Sequence, residues 1–98
     1  PYNKHVFHLY PVMIDPAEFG MGKDDFILRM LNEHGVKCGF HYIPLHLSTA
    51  FQRRGYKQGQ FPNAERLGER LVTLPINPRQ TTEALDHLID AIKTLQAR

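Results

Sequence analysis

Apolar residues return at helical spacing in two segments of the chain. Between Asp24 and His34, Phe26, Ile27, Met30 and Leu31 fall on one face, and Gly35 follows as a stop. Asp24 and Asp25 sit at the start, where a helix end favours negative charge. From residue 82 to 96, Leu85, Leu88, Ile89, Ile92 and Leu95 form a second stripe, with Thr81 or Thr82 as its cap. A third, weaker helix is expected after Asn63 as cap, with Ala64, Leu67 and Leu71 on one face. Two runs read as strands. His5–Ile14 is rich in β-formers, and Pro11 marks an edge or a bulge within it. Val36–Ile43 is the second run and ends at Pro44. A short buried strand is expected at Leu74–Ile76, and helical turns at Ser48–Arg54 before Gly55. Asp15–Gly22 reads as a turn region.

This order predicts an α/β (α+β) fold: a small two-layer sandwich with a short mixed sheet covered by helices. The 98 residues suffice for one core and are too few for two ordinary domains. Neither a repeat nor a linker divides them.

Composition narrows the function classes. The apolar fraction of 42% is ordinary for a globular domain. Twelve basic against ten acidic residues leave a net charge of +2, and Arg53-Arg54 is the one adjacent basic pair, which is poor ground for nucleic-acid binding. No stretch approaches the roughly 20 apolar residues of a membrane span. A single cysteine, Cys38, leaves no internal disulfide and fits a reducing cytoplasm.

The candidate chemistry lies in Phe40-His41-Tyr42-Ile43-Pro44-Leu45-His46. Imidazoles and a phenol donate and accept hydrogen bonds near neutral pH, and a strand running out into a loop can aim them at a ligand. In a strand, His41 and Tyr42 point to opposite faces, and the direction of His46 beyond Pro44 is not readable. Two roles stand open for these residues: contact with a ligand, or anchoring of the loop through buried hydrogen bonds. A metal site is not expected, because His41 and His46 lack a partner at familiar ligand spacing, and His5 and His8 face opposite sides of a strand. Cys38 reads as a packed small hydrophobe rather than a nucleophile. Gly20 and Gly22 match no phosphate-loop fingerprint, and Ser48 and Thr49 read as caps.

The ordered segments Gly35-Val36, His41-Tyr42-Ile43-Pro44-Leu45-His46, Phe61-Pro62-Asn63-Ala64-Glu65 and Thr73-Leu74-Pro75-Ile76-Asn77-Pro78 carry a resemblance. Together they resemble the C-terminal small domain of the DegT/DnrJ/EryC1/StrS family, vitamin-B6-dependent aminotransferases acting on sugar nucleotides. Lys23, Cys38, Phe40 and Asn77 depart from the pattern, standing where arginine, threonine, valine and an apolar or aromatic residue are common.

The resemblance implies a single C-terminal small domain of the aspartate-aminotransferase (type I) fold over residues 1–98. The large domain, which would hold pyridoxal phosphate on a lysine, is absent from these residues. It also implies a homodimer in the full enzyme, with a sugar nucleotide and an amino donor as substrates. His41 and Tyr42 would help position the sugar nucleotide, and His46 would support their loop or reach the same site. No residue here is implied to be the catalytic base or to bind the cofactor, since Lys4, Lys23, Lys37, Lys57 and Lys93 all lie outside such a motif. The chain alone is therefore expected to be inactive. The other class of function is a free-standing, non-catalytic association or binding domain derived from that family.

Overall fold

Two four-residue strands form the sheet, and helices bury one of its faces. The computed structural model describes residues 4 and 6–96. In chain order the elements are β1 (Tyr10–Met13), α1 (Pro16–Phe19), α2 (Lys23–His34), a 3-10 turn (Leu45–Leu47), α3 (Thr49–Gln52), α4 (Pro62–Arg70), β2 (Leu71–Leu74) and α5 (Thr82–Gln96). This is a small α+β domain.

The strands β1 and β2 run antiparallel, with Tyr10 opposite Leu74, Pro11 opposite Thr73, Val12 opposite Val72 and Met13 opposite Leu71. This register explains why proline is tolerated in β1. In an antiparallel pair, facing residues alternate between exchanging hydrogen bonds with each other and turning their N–H and C=O outward. Thr73 turns outward: its N–H donates to the Gly39 carbonyl at 2.7 Å, and its carbonyl accepts from the Gly39 N–H at 3.0 Å. The missing N–H of Pro11 therefore leaves no gap in the ladder.

Several sequence expectations are corrected here. The strand expected at His5–Ile14 shortens to Tyr10–Met13. Phe7 takes φ 52°, a left-handed conformation incompatible with extended pairing, and His5 lies outside the described residues. The strand expected at Val36–Ile43 reduces to the single bridge of Gly39 with Thr73. Every described pairing is antiparallel, where a mixed sheet was expected. The short strand expected at Leu74–Ile76 lies instead at Leu71–Leu74, as β2, since Pro75 cannot continue the ladder. Helix α4 begins at Pro62 with Phe61 at its N-cap, so Asn63 lies inside it: proline with its fixed φ occupies the first turn. The turn region after Asp15 contains α1, whose first turn is capped by Asp15 Oδ1 accepting from the Ala17 N–H at 3.0 Å.

Helices α2 and α5 occupy the places their apolar stripes predict. Gly35 ends α2 at φ 67°, its N–H directed at the Leu31 and Met30 carbonyls. The Thr81 hydroxyl caps α5 by accepting from the Ala84 N–H at 3.1 Å. His87 on α5 donates from Nε2 to the His34 carbonyl at 2.7 Å, tying α5 to the C-terminal end of α2. One core results: Ile14, Phe26, Met30, Val36, Cys38, Val72, Leu74, Leu88, Ala91 and Leu95. Burial pushes the Cys38 thiol up to about 11, as befits a packed hydrophobe rather than a nucleophile.

The core makes a quantitative expectation. Phe26→Ala removes a fully buried ring and should cost about 3–5 kcal/mol, a large share of what a small domain possesses. Leu28, two positions on, is 56% exposed, and Leu28→Ala should cost about 0.5 kcal/mol or less. Urea denaturation followed by circular dichroism reads both; equal losses would contradict this core.

Candidate functional site

The site is built on the face of β2 turned away from the core. Side chains alternate along a strand, so while Val72 and Leu74 face the helices, Thr73 faces the other way. Thr73 is nevertheless only 9% exposed, because the segment after Gly39 folds over it. His41 Nδ1 and Thr73 Oγ1 lie 2.8 Å apart. Tyr42 follows with its ring edge-on to His41, centroids 4.7 Å apart, and is 74% exposed.

His41 lines two clefts. One, of about 260 Å³, is bounded by Lys37, Cys38, Gly39, Thr73 and the Leu74–Ile76 turn. The other, of about 190 Å³, is bounded by Phe40, Tyr42, Ala64, Leu67, Gly68 and Leu71. Helix α4 is thus the far wall of the second cleft. Two contacts hold it in place. Lys23 at the start of α2 donates from Nζ to the Gly68 carbonyl at 2.8 Å while standing 4.5 Å over the Phe40 ring. Gly68 itself permits the approach of Pro44, whose ring carbons would come within 2.7 Å of any Cβ at that position. Lys23 therefore pins α2, α4 and the His41 segment together.

His46 is placed differently. It is 6% exposed, and its Nε2 lies 3.0 Å from Glu65 Oε2. It does not line either cleft with His41; it lines an aromatic hollow of about 310 Å³ with Leu45, Phe51, Tyr56, Phe61 and Ala64. Ala64 borders both this hollow and the smaller His41 cleft. The structure thus brings His41 and Tyr42 together and sets His46 on the other side of the Ala64 ridge.

Glu65, the last residue of the Phe61-Pro62-Asn63-Ala64-Glu65 segment, has a role that residue spacing alone does not disclose. Its carboxylate accepts from the Gly59 N–H at 2.9 Å, the Phe61 N–H at 3.2 Å and the His46 ring. The readable signal was a glutamate one turn into a helix that opens with proline, placed to reach back to unpaired N–H groups. The Gly59 N–H is the main cause that holds this carboxyl below its ordinary value; the His46 ring and the Phe61 N–H add to it, and burial opposes.

Among the described residues no group of three or more His, Cys, Asp or Glu could hold a metal ion. None of the described helices is long and apolar enough to cross a membrane.

Solved structures share this fold. The putative sugar aminotransferase Spr1654 of Streptococcus pneumoniae, known in PLP, PMP and apo forms, superimposes with a TM-score of 0.76 at 29% identity, covering 92% of this chain and 22% of that one. The aminotransferase TlmJ of Streptoalloteichus hindustanus gives 0.72 at 28% identity, covering 91% of this chain and 22% of that one. The domain therefore has the architecture of a piece of an aminotransferase. Residues 1–93 match the DegT/DnrJ/EryC1/StrS aminotransferase family, and the chain belongs to that family. Relatives include an uncharacterized protein of Methanocaldococcus jannaschii, 37% identical over 94% of this chain and 24% of its own length. The spore coat polysaccharide biosynthesis protein SpsC of Bacillus subtilis is 29% identical with the same two coverages. The chain thus spans about a quarter of the curated relatives it matches.

The acid response of Glu65 follows from its lowered value. A carboxyl depressed in the folded state contributes stability above its ordinary value and loses it as pH falls through the lowered one. The Gly59 and Phe61 amide protons should therefore shift together when the pH is taken from about 7 to about 3. In Glu65→Gln this acid step should vanish, because an amide does not titrate. A two-dimensional amide spectrum across that range is the check; an unchanged acid step in the variant would contradict the arrangement.

Proposed function

We propose that this chain is the C-terminal domain of a sugar-nucleotide aminotransferase, contributing substrate-side residues and domain closure and inactive by itself. The observation that carries the reading is the His41–Tyr42 pair. In a chain of this family, an anchored imidazole and an exposed phenol stand at the rim of clefts open to solvent. Both groups hydrogen-bond hydroxyl and phosphate oxygens, which is the chemistry a sugar nucleotide presents. His46 supports the loop from beneath through Glu65.

The cofactor of the family does not fit the residues present. Lys4, Lys37, Lys57 and Lys93 are exposed, and Lys23 is engaged with Gly68 and Phe40. Lys37 stands at the rim of the larger His41 cleft, but no carboxylate is among that cleft's lining residues to meet a pyridine nitrogen. The full protein would supply that site from a large domain and would act as a homodimer on a sugar nucleotide and an amino donor.

An apolar groove of about 310 Å³ supports the same reading. It runs between Tyr10, Ile76 and the outer stripe of α5, where Leu85 is 42% and Ile89 47% exposed. Relatives are about four times as long as this chain, and we assign the groove to the large domain of the same polypeptide.

Two measurements test the proposal. Pyridoxal phosphate titrated into this chain, followed by borohydride reduction and peptide mapping, should label the lysines weakly and at scattered positions. Stoichiometric labelling of a single lysine at low cofactor concentration would overturn it. In the full protein, His41→Ala or Tyr42→Phe should weaken sugar-nucleotide binding about 5-fold to 10-fold while leaving the bound-cofactor absorbance intact. Loss of that absorbance would move these residues to a cofactor-supporting role.

A further inference from the structure

Thr73 has a property that its place in a sheet does not require. Its backbone groups are consumed by Gly39, and its side chain is turned to His41, two residues farther along the same segment. A threonine hydroxyl carries one proton, and burial makes it costly to leave that proton without an acceptor. Among the described residues, the polar atom within hydrogen-bond distance of Thr73 Oγ1 is His41 Nδ1. When the hydroxyl donates to Nδ1, that nitrogen is the bare one of a neutral imidazole. The proton then resides on Nε2. His34 Nε2 is the one buried side-chain nitrogen or oxygen without a partner among the described residues, and the His41 ring lines two clefts open to solvent.

We infer that Thr73 is a positioning residue that selects the Nε2–H tautomer of His41 and so presents a hydrogen-bond donor to oxygen atoms of the substrate. The inference rests on the proposed substrate role of His41 and adds its polarity: the ring offers a donor, not an acceptor. Phosphate and anomeric oxygens, which are acceptors only, fit such a ring. The backbone bridge of Gly39 with Thr73 fixes the distance, and the hydroxyl fixes the ring.

The test compares Thr73→Val, which keeps the shape and removes the hydroxyl, with Thr73→Ser, which keeps the hydroxyl. Long-range proton–nitrogen spectra of the full protein labelled with [15N]histidine distinguish a ring nitrogen bearing hydrogen from a bare one. Wild type and Thr73→Ser should show His41 with hydrogen on Nε2, and Thr73→Val should show a mixture of tautomers. An unchanged tautomer in Thr73→Val would overturn the inference. Binding of UDP-N-acetylglucosamine, used as an unreactive sugar-nucleotide probe, should weaken about 5-fold in Thr73→Val and recover in Thr73→Ser. In a His41→Ala background Thr73→Val should have no further effect; a loss of the same size there would mean a merely structural role and would overturn the inference. If His41→Ala leaves probe binding unchanged, the proposed function fails instead, and the ring spectrum alone decides whether Thr73 sets the tautomer.

Discussion

Two strands of four residues cannot stand in water unaided, so the domain depends on burying one face of β2. Val72 is completely covered, in one cluster with Phe26 and Met30 of α2 and Leu95 of α5. Neither helix is long enough to be stable alone, and each needs the same apolar floor. The floor and the helices thus stabilise one another, and the tie from His87 to the His34 carbonyl holds the helices side by side. Once Val72 is fixed inward, strand alternation leaves Thr73 no choice but to face outward, toward the segment that carries His41. Packing on one side of a single strand therefore sets the position of the site on the other.

The two faces of β2 use different physics. The inner face is held by non-directional burial, which tolerates substitutions of similar volume. The outer face is held by a backbone bridge and one side-chain hydrogen bond, whose geometry is specific. Lys23 links the faces. It belongs to α2, whose apolar stripe packs inward, yet its ammonium group reaches the α4 carbonyl of Gly68 and the Phe40 ring on the site side. A shift of α2 in the core would be transmitted to the wall of the His41 cleft through that contact.

What could be read from the sequence divides along the same line. Apolar periodicity located α2 and α5 because burial of a stripe is a local pattern with a local cause. The ordered segments around His41, Phe61 and Thr73 led to the family because they lie in a fixed sequence along the chain. Val36–Ile43 has less strand than its composition suggests, because β-propensity reports a residue's fit to a pleated surface, not whether a partner edge is within reach. Among the described residues of that run only Gly39 finds such an edge, on Thr73, which turns its backbone outward. Asn63 looked like a cap by residue type, but Pro62 had already claimed the first helical position. The role of Glu65 and the destination of His46 depended on the path of the chain beyond Pro44, which spacing does not encode.

The two histidines of one short motif thus end in opposite circumstances, and their partners explain why. His46 is enclosed and faces a carboxylate that also gathers the Gly59 and Phe61 N–H groups. A charge-assisted bond among several donors is strong and hard to exchange, which suits a residue that anchors a loop. His41 faces a hydroxyl, a neutral partner that fixes the ring through one nitrogen and leaves the other in the cleft. A carboxylate at position 73 would hold the ring more firmly, but it would add negative charge beside a cleft proposed to receive a sugar nucleotide, and repulsion of its phosphate would oppose binding. A valine would remove the charge and the orientation together. Of these three side chains, threonine alone both orients the imidazole and adds no charge to the cleft.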